Sequence, residues 1–408
     1  MRVAFISTYP PTPCGIARYT QHLCSSLLKQ VDLEIYVIAE RGARPFSDGR
    51  ITCIPCFYRK NKYSSEILPV LRDINPDVVH LQHHYGIYSI GEELFTLLKN
   101  IEAKKVVTLH EVHTPMTREK IETLNEPGYS VETLAEHHRA LAETVDRIVV
   151  HTAYIASWLK SYGVDKSKIS VIHHGTPMMP RIDGAYAKRI LGFSENDKVI
   201  LSFGFVNKYK NQTMLIEAFK EVVKQVPEAK LLLVGGLHPH PKEEDKKADL
   251  KRKELVESLG LSEHVKIIDR FVEDSEVPII FAAADVATYL FKDRFAEVSG
   301  ALHTAIGAGR PIVCTNVPRY MEVASICPEI AVDPEDREKL VRVLVKLLKD
   351  EEFRREISSR IERLAVETSY DRAAELHYAL YLELVRAERV AYKLLDTRQM
   401  LMKPLKTP

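Results

Sequence analysis

The sequence predicts an α/β protein made of two doubly wound Rossmann-like domains, and three observations carry that prediction. Short apolar runs alternate with amphipathic stretches at intervals of roughly 25 to 40 residues, the pattern of parallel strands joined by crossover helices. The alternation breaks once, at Thr176–Gly184 (TPMMPRIDG), where two prolines and a glycine separate the last strand of one half from the next helix. The length of 408 residues exceeds what one ordinary core accommodates.

In the first half, Arg2–Ser7 (RVAFIS) is a continuous apolar run and reads as a buried strand. The loop Thr8–Gly15 follows, and then a helix with Ile16, Tyr19, Leu23 and Leu27 on one face. Strand, glycine-containing loop and helix in that order can present backbone N–H groups to an anion, which places Gly15 and Ile16 among the candidate binding residues. Further strands are expected near Leu33–Ile38, Val78–Gln82, Lys105–Leu109, Arg147–His151 and Ile169–Ile172, with helical periodicity at Ser65–Leu71, Glu92–Leu98 and Ser130–Val145. Ligands of such sheets collect beyond the C-terminal strand ends. Histidines stand there: His83 and His84 after the second of these strands, His110, Glu111 and His113 after the next, and His173 and His174 before Gly175. A histidine after a strand is often only a polar cap; its recurrence at three strand ends points to a polar ligand. Zinc is the weaker reading, because Glu111 is the only adjacent carboxylate and H-E-x-x-H is absent.

The second half repeats the layout with strands at Val199–Phe203, Lys230–Val234, Val265–Ile268, Val286–Tyr289 and Pro311–Cys314. After the first comes GFVNKYKN, with Gly204, Phe205 and Lys210; the second ends in Gly235–Gly236; Arg270 and Phe271 follow the third. His238 and His240 lie in a loop, and Lys242–Lys253 mixes both charges, as a solvated helix start does. The stretch Phe295–Val313 (FAEVSGALHTAIGAGRPIV) reads as polar loop, short apolar helix from Gly300, glycines, then a buried strand. A helix starting there directs its unpaired N–H groups at whatever sits before Val298, Ser299 and Gly300, a place to hold a phosphate. Two helices follow between Pro334 and Thr368, and Ser369, Tyr370 and Asp371 begin a last long one. The expected division is 1–178, 179–368, a helix at 369–394 and a basic tail at 395–408.

Composition excludes several classes. With 57 basic and 56 acidic residues the net charge is +1, which argues against nucleic acid and anionic membranes as general partners. The N-terminal residues run directly into a strand, and no later run approaches the roughly 18 to 20 apolar residues of a membrane span, so a cytoplasmic protein is expected. Contact of Met400, Leu401 and Met402 with a membrane surface, or dimerisation through the last helix, is a minor reading. Of six cysteines only Cys53 and Cys56 are close, with no second pair for a metal; they read as apolar fillers at a strand and its exit. No metal and no cofactor is expected.

Nearly the whole chain, most strongly Val199–Thr315, resembles the family 4 retaining glycosyltransferases of GT-B type, whose segment E-x7-E-A-M-A-x-G-x-P-V-V is similar to the stretch ending in Ala305, Ile306, Gly307, Ala308, Gly309 and Pro311. TPCGIARYT resembles the family's glycine-rich loop, VVHLQHHYGIY and VVTLHEVHTP its histidine segments, and GFVNKYKN its G-R-x-x-x-x-K-G. The resemblance implies two facing domains with the active site in the cleft, and transfer of a hexose from a UDP-, GDP- or ADP-sugar to a carbohydrate or other hydroxyl acceptor. It implies that Lys210 clamps the diphosphate and that His110 hydrogen-bonds the sugar. His83, His84, Glu111 and His174 are implied as sugar or acceptor contacts. Gly15, Ile16, Gly204, Phe205, Gly236, Arg270, Val298, Ser299, Gly300, Ala301 and Thr304 are implied to surround the donor. The departures fall on charged positions. Phe205 stands at the clamp arginine, Thr304 at the second glutamate and Ala296 at the first, with Glu297 one residue late and expected to reach the sugar hydroxyls. No D-x-D follows a strand, which agrees with metal-free transfer. A sugar phosphorylase or nucleotide-sugar epimerase on the same architecture, and a non-catalytic nucleotide-sugar sensor, stay open as alternatives.

Overall fold

The computed structural model describes the chain except residues 30–32, 60–61, 89, 118–129, 238–240, 294 and 402–408; at 296 and 388–401 only the backbone is described. The His238–His240 loop and the end of the tail therefore lie outside the described residues. Two compact units result: Met1–Gly175 together with the chain from Tyr370 onward, and Thr176–Ser369.

The first unit is built on β1 (Arg2–Ser7), β2 (Glu34–Glu40), β3 (Phe46–Ser47), β4 (Ile51–Phe57), β5 (Val78–His83), β6 (Lys104–Leu109), β7 (Arg147–Val150) and β8 (Ile169–Val171). Their order in the sheet is β3-β4-β2-β1-β5-β6-β7-β8, parallel except for the short antiparallel β3. Val3–Ser7 is a nearly continuous buried apolar run, and all of Val78–His83 is buried too, carrying His80, Gln82 and His83 into a sheet covered on both faces. Sequence suggested that Cys53–Cys56 leaves the sheet at Pro55. Instead β4 continues to Phe57: Pro55 lies opposite Ala39, where the register shifts, so its missing N–H falls at an irregularity in the ladder. The helix expected from Ser130 begins at Leu134, after the Thr133 hydroxyl has bonded to Ser130.

The last helix, Tyr370–Leu401, packs within this unit and runs past residue 394, consistent with the helix-forming Leu, Arg, Gln and Met it contains there. Tyr370, Ala373, Ala374, Tyr381 and Leu384 join the core around Tyr19, Leu23 and Leu27 of the helix Gly15–Leu27. Inside the contact, Tyr381 Oη and Thr108 Oγ1 lie 2.6 and 2.7 Å from the two ring nitrogens of His80, which is fully buried. Both polar sites of a core histidine are thus satisfied, and burial holds its pKa well below the ordinary value.

The second unit carries a wholly parallel sheet of β9 (Lys198–Phe203), β10 (Ala229–Val234), β11 (Val265–Ile268), β12 (Val286–Tyr289), β13 (Ile312–Thr315) and β14 (Ala331–Val332), ordered β11-β10-β9-β12-β13-β14. The order reverses between β9 and β12, so the crevice beyond their C-terminal ends is the topological switch point. In the first unit the corresponding reversal falls between β1 and β5. The two chain ends of the second unit are tied together: Thr176 N–H donates to the Thr368 carbonyl at 2.8 Å, and Thr176 Oγ1 lies 2.7 Å from Thr368 Oγ1 and 2.8 Å from His303 Nδ1. His303 belongs to the helix Gly300–Gly307, so this clasp fixes that helix. At the helix end, a Cβ on Gly307 would lie 1.9 Å from the Pro177 carbonyl oxygen, so only glycine allows the approach.

Candidate active site

At the β9–β12 switch point the chain leaves β9 through Gly204, whose φ of +102° suits glycine. Its surroundings are close: a Cβ would sit 2.6 Å from Lys210 Nζ and 3.7 Å from Ala301 Cβ. Gly235 approaches the same backbone, with its virtual Cβ 2.5 Å from the Gly204 oxygen, and Gly236 accepts a hydrogen bond from Val206 N–H at 2.9 Å. The Asn207 side chain accepts from the N–H groups of Tyr209 and Lys210, both at 3.0 Å, closing the turn that swings Lys210 back over the strand end. There its ammonium donates to the Phe203 carbonyl at 3.0 Å. Burial, with Arg319 and then Arg252 nearby, lowers the Lys210 pKa to about 7.

The helix Gly300–Gly307 points its start at this lysine. Ser299, buried, accepts from Leu302 N–H at 3.2 Å, and Gly300 is exposed, leaving open backbone beside Val298. Ala301 is held by Tyr289 Oη, which donates to its carbonyl at 2.6 Å. Gly204, Gly236, Lys210, Val298, Ser299, Gly300 and Ala301 are all arranged around these strand ends and this helix start.

Four further candidates are already engaged by neighbours. Phe205 stacks on Phe271, ring centroids 5.8 Å apart, so it offers an apolar face and no charge. Arg270 is held by both carboxylate oxygens of Glu276, at 2.8 and 2.5 Å, so its guanidinium is already spent on a surface pair. Thr304 donates its hydroxyl to the Gly300 carbonyl at 3.0 Å, the usual back-bond of a helical threonine. Glu297 forms an ion pair with Arg319, both side chains only 13% and 14% exposed. Lys210 is therefore not the only cation of the site. Arg319 was missed because nothing in V-P-R-Y marks a loop arginine that will fold back on a glutamate 22 positions earlier.

At the switch point of the first unit, Gly15 starts the helix Gly15–Leu27 with open space beside its Cα, while Ile16 is buried and serves the core. One turn on, the Tyr19 ring collects three imidazoles: His110 edge-on at 4.7 Å, His174 at 5.0 Å and His151 at 5.4 Å. Proton positions follow from the fixed acceptor. The Ile172 carbonyl, 3.0 Å from His151 Nδ1, can only accept, so the proton is on Nδ1 and His151 Nε2 accepts from His110 Nδ1–H at 3.2 Å. His110 Nε2 is left as an acceptor, 2.9 Å from the Gln82 carboxamide, and the amide orientation that satisfies both groups turns the Gln82 NH2 toward it. Burial, reinforced by His151, keeps His110 neutral by holding its pKa well below the ordinary value.

His84 accepts from Gly86 N–H at Nδ1 (2.9 Å), so its Nε2–H faces Glu111, 3.6 Å away. Glu111 is almost fully buried and stands 3.8 Å from His113, which stacks on Tyr85 at 3.5 Å. His174, buried, is turned to the Gly175 carbonyl at 2.9 Å. His83 departs from its expected role: it is fully buried, packs edge-on to Tyr85, and burial drops its pKa to about 3. It props up the strand end as a core histidine. His151, Gln82 and Tyr19 join the cluster instead, and only their positions at strand ends and on an inward helix face could have signalled it.

Known proteins share this framework. The family described as Glycosyl transferases group 1 matches residues 186–363, and that described as Glycosyltransferase Family 4 matches residues 13–178. Mannosylfructose-phosphate synthase of Agrobacterium fabrum is 26% identical over 295 residues, 68% of this chain and 62% of that protein's own length. Among solved structures, sucrose-phosphate synthase from Thermosynechococcus elongatus superposes with a TM-score of 0.74 at 16% identity, covering 95% of this chain and 100% of that one. Anabaena HepE in complex with UDP-glucose gives 0.70 at 13% identity, with 95% and 100% covered. Between them the two family matches take in most of both units, and the chain belongs to the group 1, family 4 glycosyltransferases of GT-B fold.

Proposed function

We propose that this glycosyltransferase moves a hexose from a nucleoside diphosphate sugar to a hydroxyl acceptor, with retention of anomeric configuration and without a divalent metal. One observation carries the reading: Lys210 Nζ, Gly204 and the first turn of the Gly300–Gly307 helix converge at a topological switch point, where a diphosphate meets an ammonium and a helix N-terminus together. As the bond from the anomeric carbon to the donor phosphate breaks, negative charge grows on the departing diphosphate, and these groups stabilise it. The acceptor hydroxyl attacks from the same face, its oxygen bonding to the anomeric carbon while its proton passes to a phosphate oxygen. No protein base is then required. In the first unit, neutral His110 presents Nε2 as an acceptor for a sugar hydroxyl that takes the place of the Gln82 amide, and His84 with Glu111 offers polar contacts to the acceptor. A UDP-glucose complex of the Anabaena structural relative supports UDP-sugars as the first donors to try.

The test is a thermal-shift panel of UDP-, GDP- and ADP-sugars, followed by assay of nucleotide release with the stabilising donor. Stabilisation together with release supports transfer. Stabilisation without release, across a broad panel of hydroxyl acceptors, favours the sensor reading, to which the apolar Phe205 lends some weight.

A further inference from the structure

Resting on that reading, the geometry of the second unit assigns the donor diphosphate a second cation. We propose that Arg319 binds the diphosphate alongside Lys210, and that Glu297 is its resident counter-ion, displaced when the donor arrives.

A nucleoside diphosphate brings more negative charge than one lysine balances. Among the described residues, Arg270, Lys208, Arg252 and Arg319 are candidates for the remainder, and the first three are committed elsewhere. Arg270 is locked bidentately to Glu276 at the surface. Lys208 pairs with Glu244 at 2.8 Å. Arg252 is fully buried between Asp249 and Asp269, at 2.6 and 3.1 Å, where its charge holds the Glu243–Ser258 helix to the end of β11. Arg319 differs in where its partner sits. Glu297 lies three residues ahead of Gly300, in the short strand Ala296–Glu297 that leads to the helix N-terminus, so this carboxylate partner of Arg319 occupies ground the anion would claim.

The support beneath Arg319 reaches Lys210 through packed rings. The guanidinium lies 4.1 Å above the Phe291 ring. Phe291 meets Tyr209, the neighbour of Lys210, with centroids 5.6 Å apart, and Lys292 N–H donates to the Tyr209 carbonyl at 3.1 Å. On the other side Tyr320 packs edge-on to Tyr289, 5.9 Å between centroids, and Tyr289 holds Ala301. The arginine, the lysine turn and the helix start therefore share one wall. A guanidinium supported over a ring offers its N–H fork to a carboxylate or a phosphate, the two groups whose geometry the fork matches. Exchange of Glu297 for the diphosphate also frees the Glu297 carboxylate for the sugar hydroxyls, so that donor binding itself would arm the sugar contact.

The experiment is isothermal titration of the full chain with UDP, GDP and ADP, and with the matching nucleoside, for wild type, R319M, R319K, E297Q and R319M/E297Q. For the diphosphate that binds wild type, R319M is expected to weaken binding about tenfold or more and R319K less, with the nucleoside unaffected. E297Q removes the competitor and is expected to tighten the diphosphate about threefold or more, an effect that vanishes in R319M/E297Q. Unchanged diphosphate affinity in a folded R319M, or unchanged or weaker affinity in E297Q, overturns the assignment; should R319M not fold, E297Q alone decides. Wild type that binds none of the three diphosphates overturns the donor reading itself, which separates that failure from failure of Arg319.

Discussion

The Lys210 ammonium donates to the Phe203 main-chain carbonyl at 3.0 Å and faces no carboxylate among the described residues. A lysine so placed gives up its proton near pH 7, against an ordinary 10.5. A bound diphosphate favours the charged form and raises the pKa again, so binding takes up a proton above pH 7. Nucleoside diphosphate affinity should therefore be greatest at or below pH 7 and fall as pH rises above it. The slope should disappear in Lys210→Met, measured by titration from pH 6 to 9. In the free protein the linkage has the opposite sense: between pH 7 and 10.5 the unfolded chain holds a proton the folded chain lacks, so stability contributed at this group rises with pH across that window.

Removing the charge altogether tests its weight. A charge-assisted hydrogen bond contributes about 1.5 to 3 kcal/mol, and about 1.4 kcal/mol is a factor of ten. Lys210→Ala should cost about ten- to a hundredfold in diphosphate affinity at pH 6.5 by that conversion, and turnover as well. An equal loss for the nucleoside, which has no phosphate, would show that Lys210 only supports the fold of the strand end.

His110 is fixed as a neutral acceptor through His151 and the Ile172 carbonyl. His110→Ala should lower kcat by about ten- to a hundredfold while diphosphate affinity changes little, the signature of a contact strengthened in the transition state. His151→Phe, which removes the group that sets the tautomer, should lower kcat less than His110→Ala. Turnover unchanged in both variants would remove the pair from the sugar site.

On the proposed function, charge on the leaving group is met by Lys210, the helix start at Gly300 and, on the inference above, Arg319. Activity should accordingly survive dialysis against excess EDTA. Complete loss, restored by Mn2+ or Mg2+, would contradict the metal-free reading.

Gly307 tests the scaffold. Its virtual Cβ falls 1.9 Å from a main-chain oxygen, which cannot swing aside as a side chain would. Gly307→Ala should destabilise by about 1 to 3 kcal/mol, the ordinary range for overpacking, and lower Tm. Gly15→Ala, with open space at its Cβ, should change Tm little in the same melting experiment.

The sequence by itself determined the two parallel sheets, because strands buried on both faces must be continuous apolar runs and the helices between them must be amphipathic. It also located Lys210, the helix beginning at Gly300 and the histidines, since each follows directly from a strand end or a glycine turn, and such local chemistry is written in consecutive residues. Tertiary structure decided which of those residues are available. Whether Arg270 is spent on Glu276, whether His83 faces a ligand or the core, and whether Phe205 meets a charge or Phe271 depend on neighbours brought together by folding. The pairing of Glu297 with Arg319 and the proton order from Ile172 through His151 to His110 rest on contacts between residues 21 to 41 positions apart. Spacing along the chain carries no signal for such pairs, because side-chain electrostatics act through space and the sheet order, not the sequence order, sets the distances.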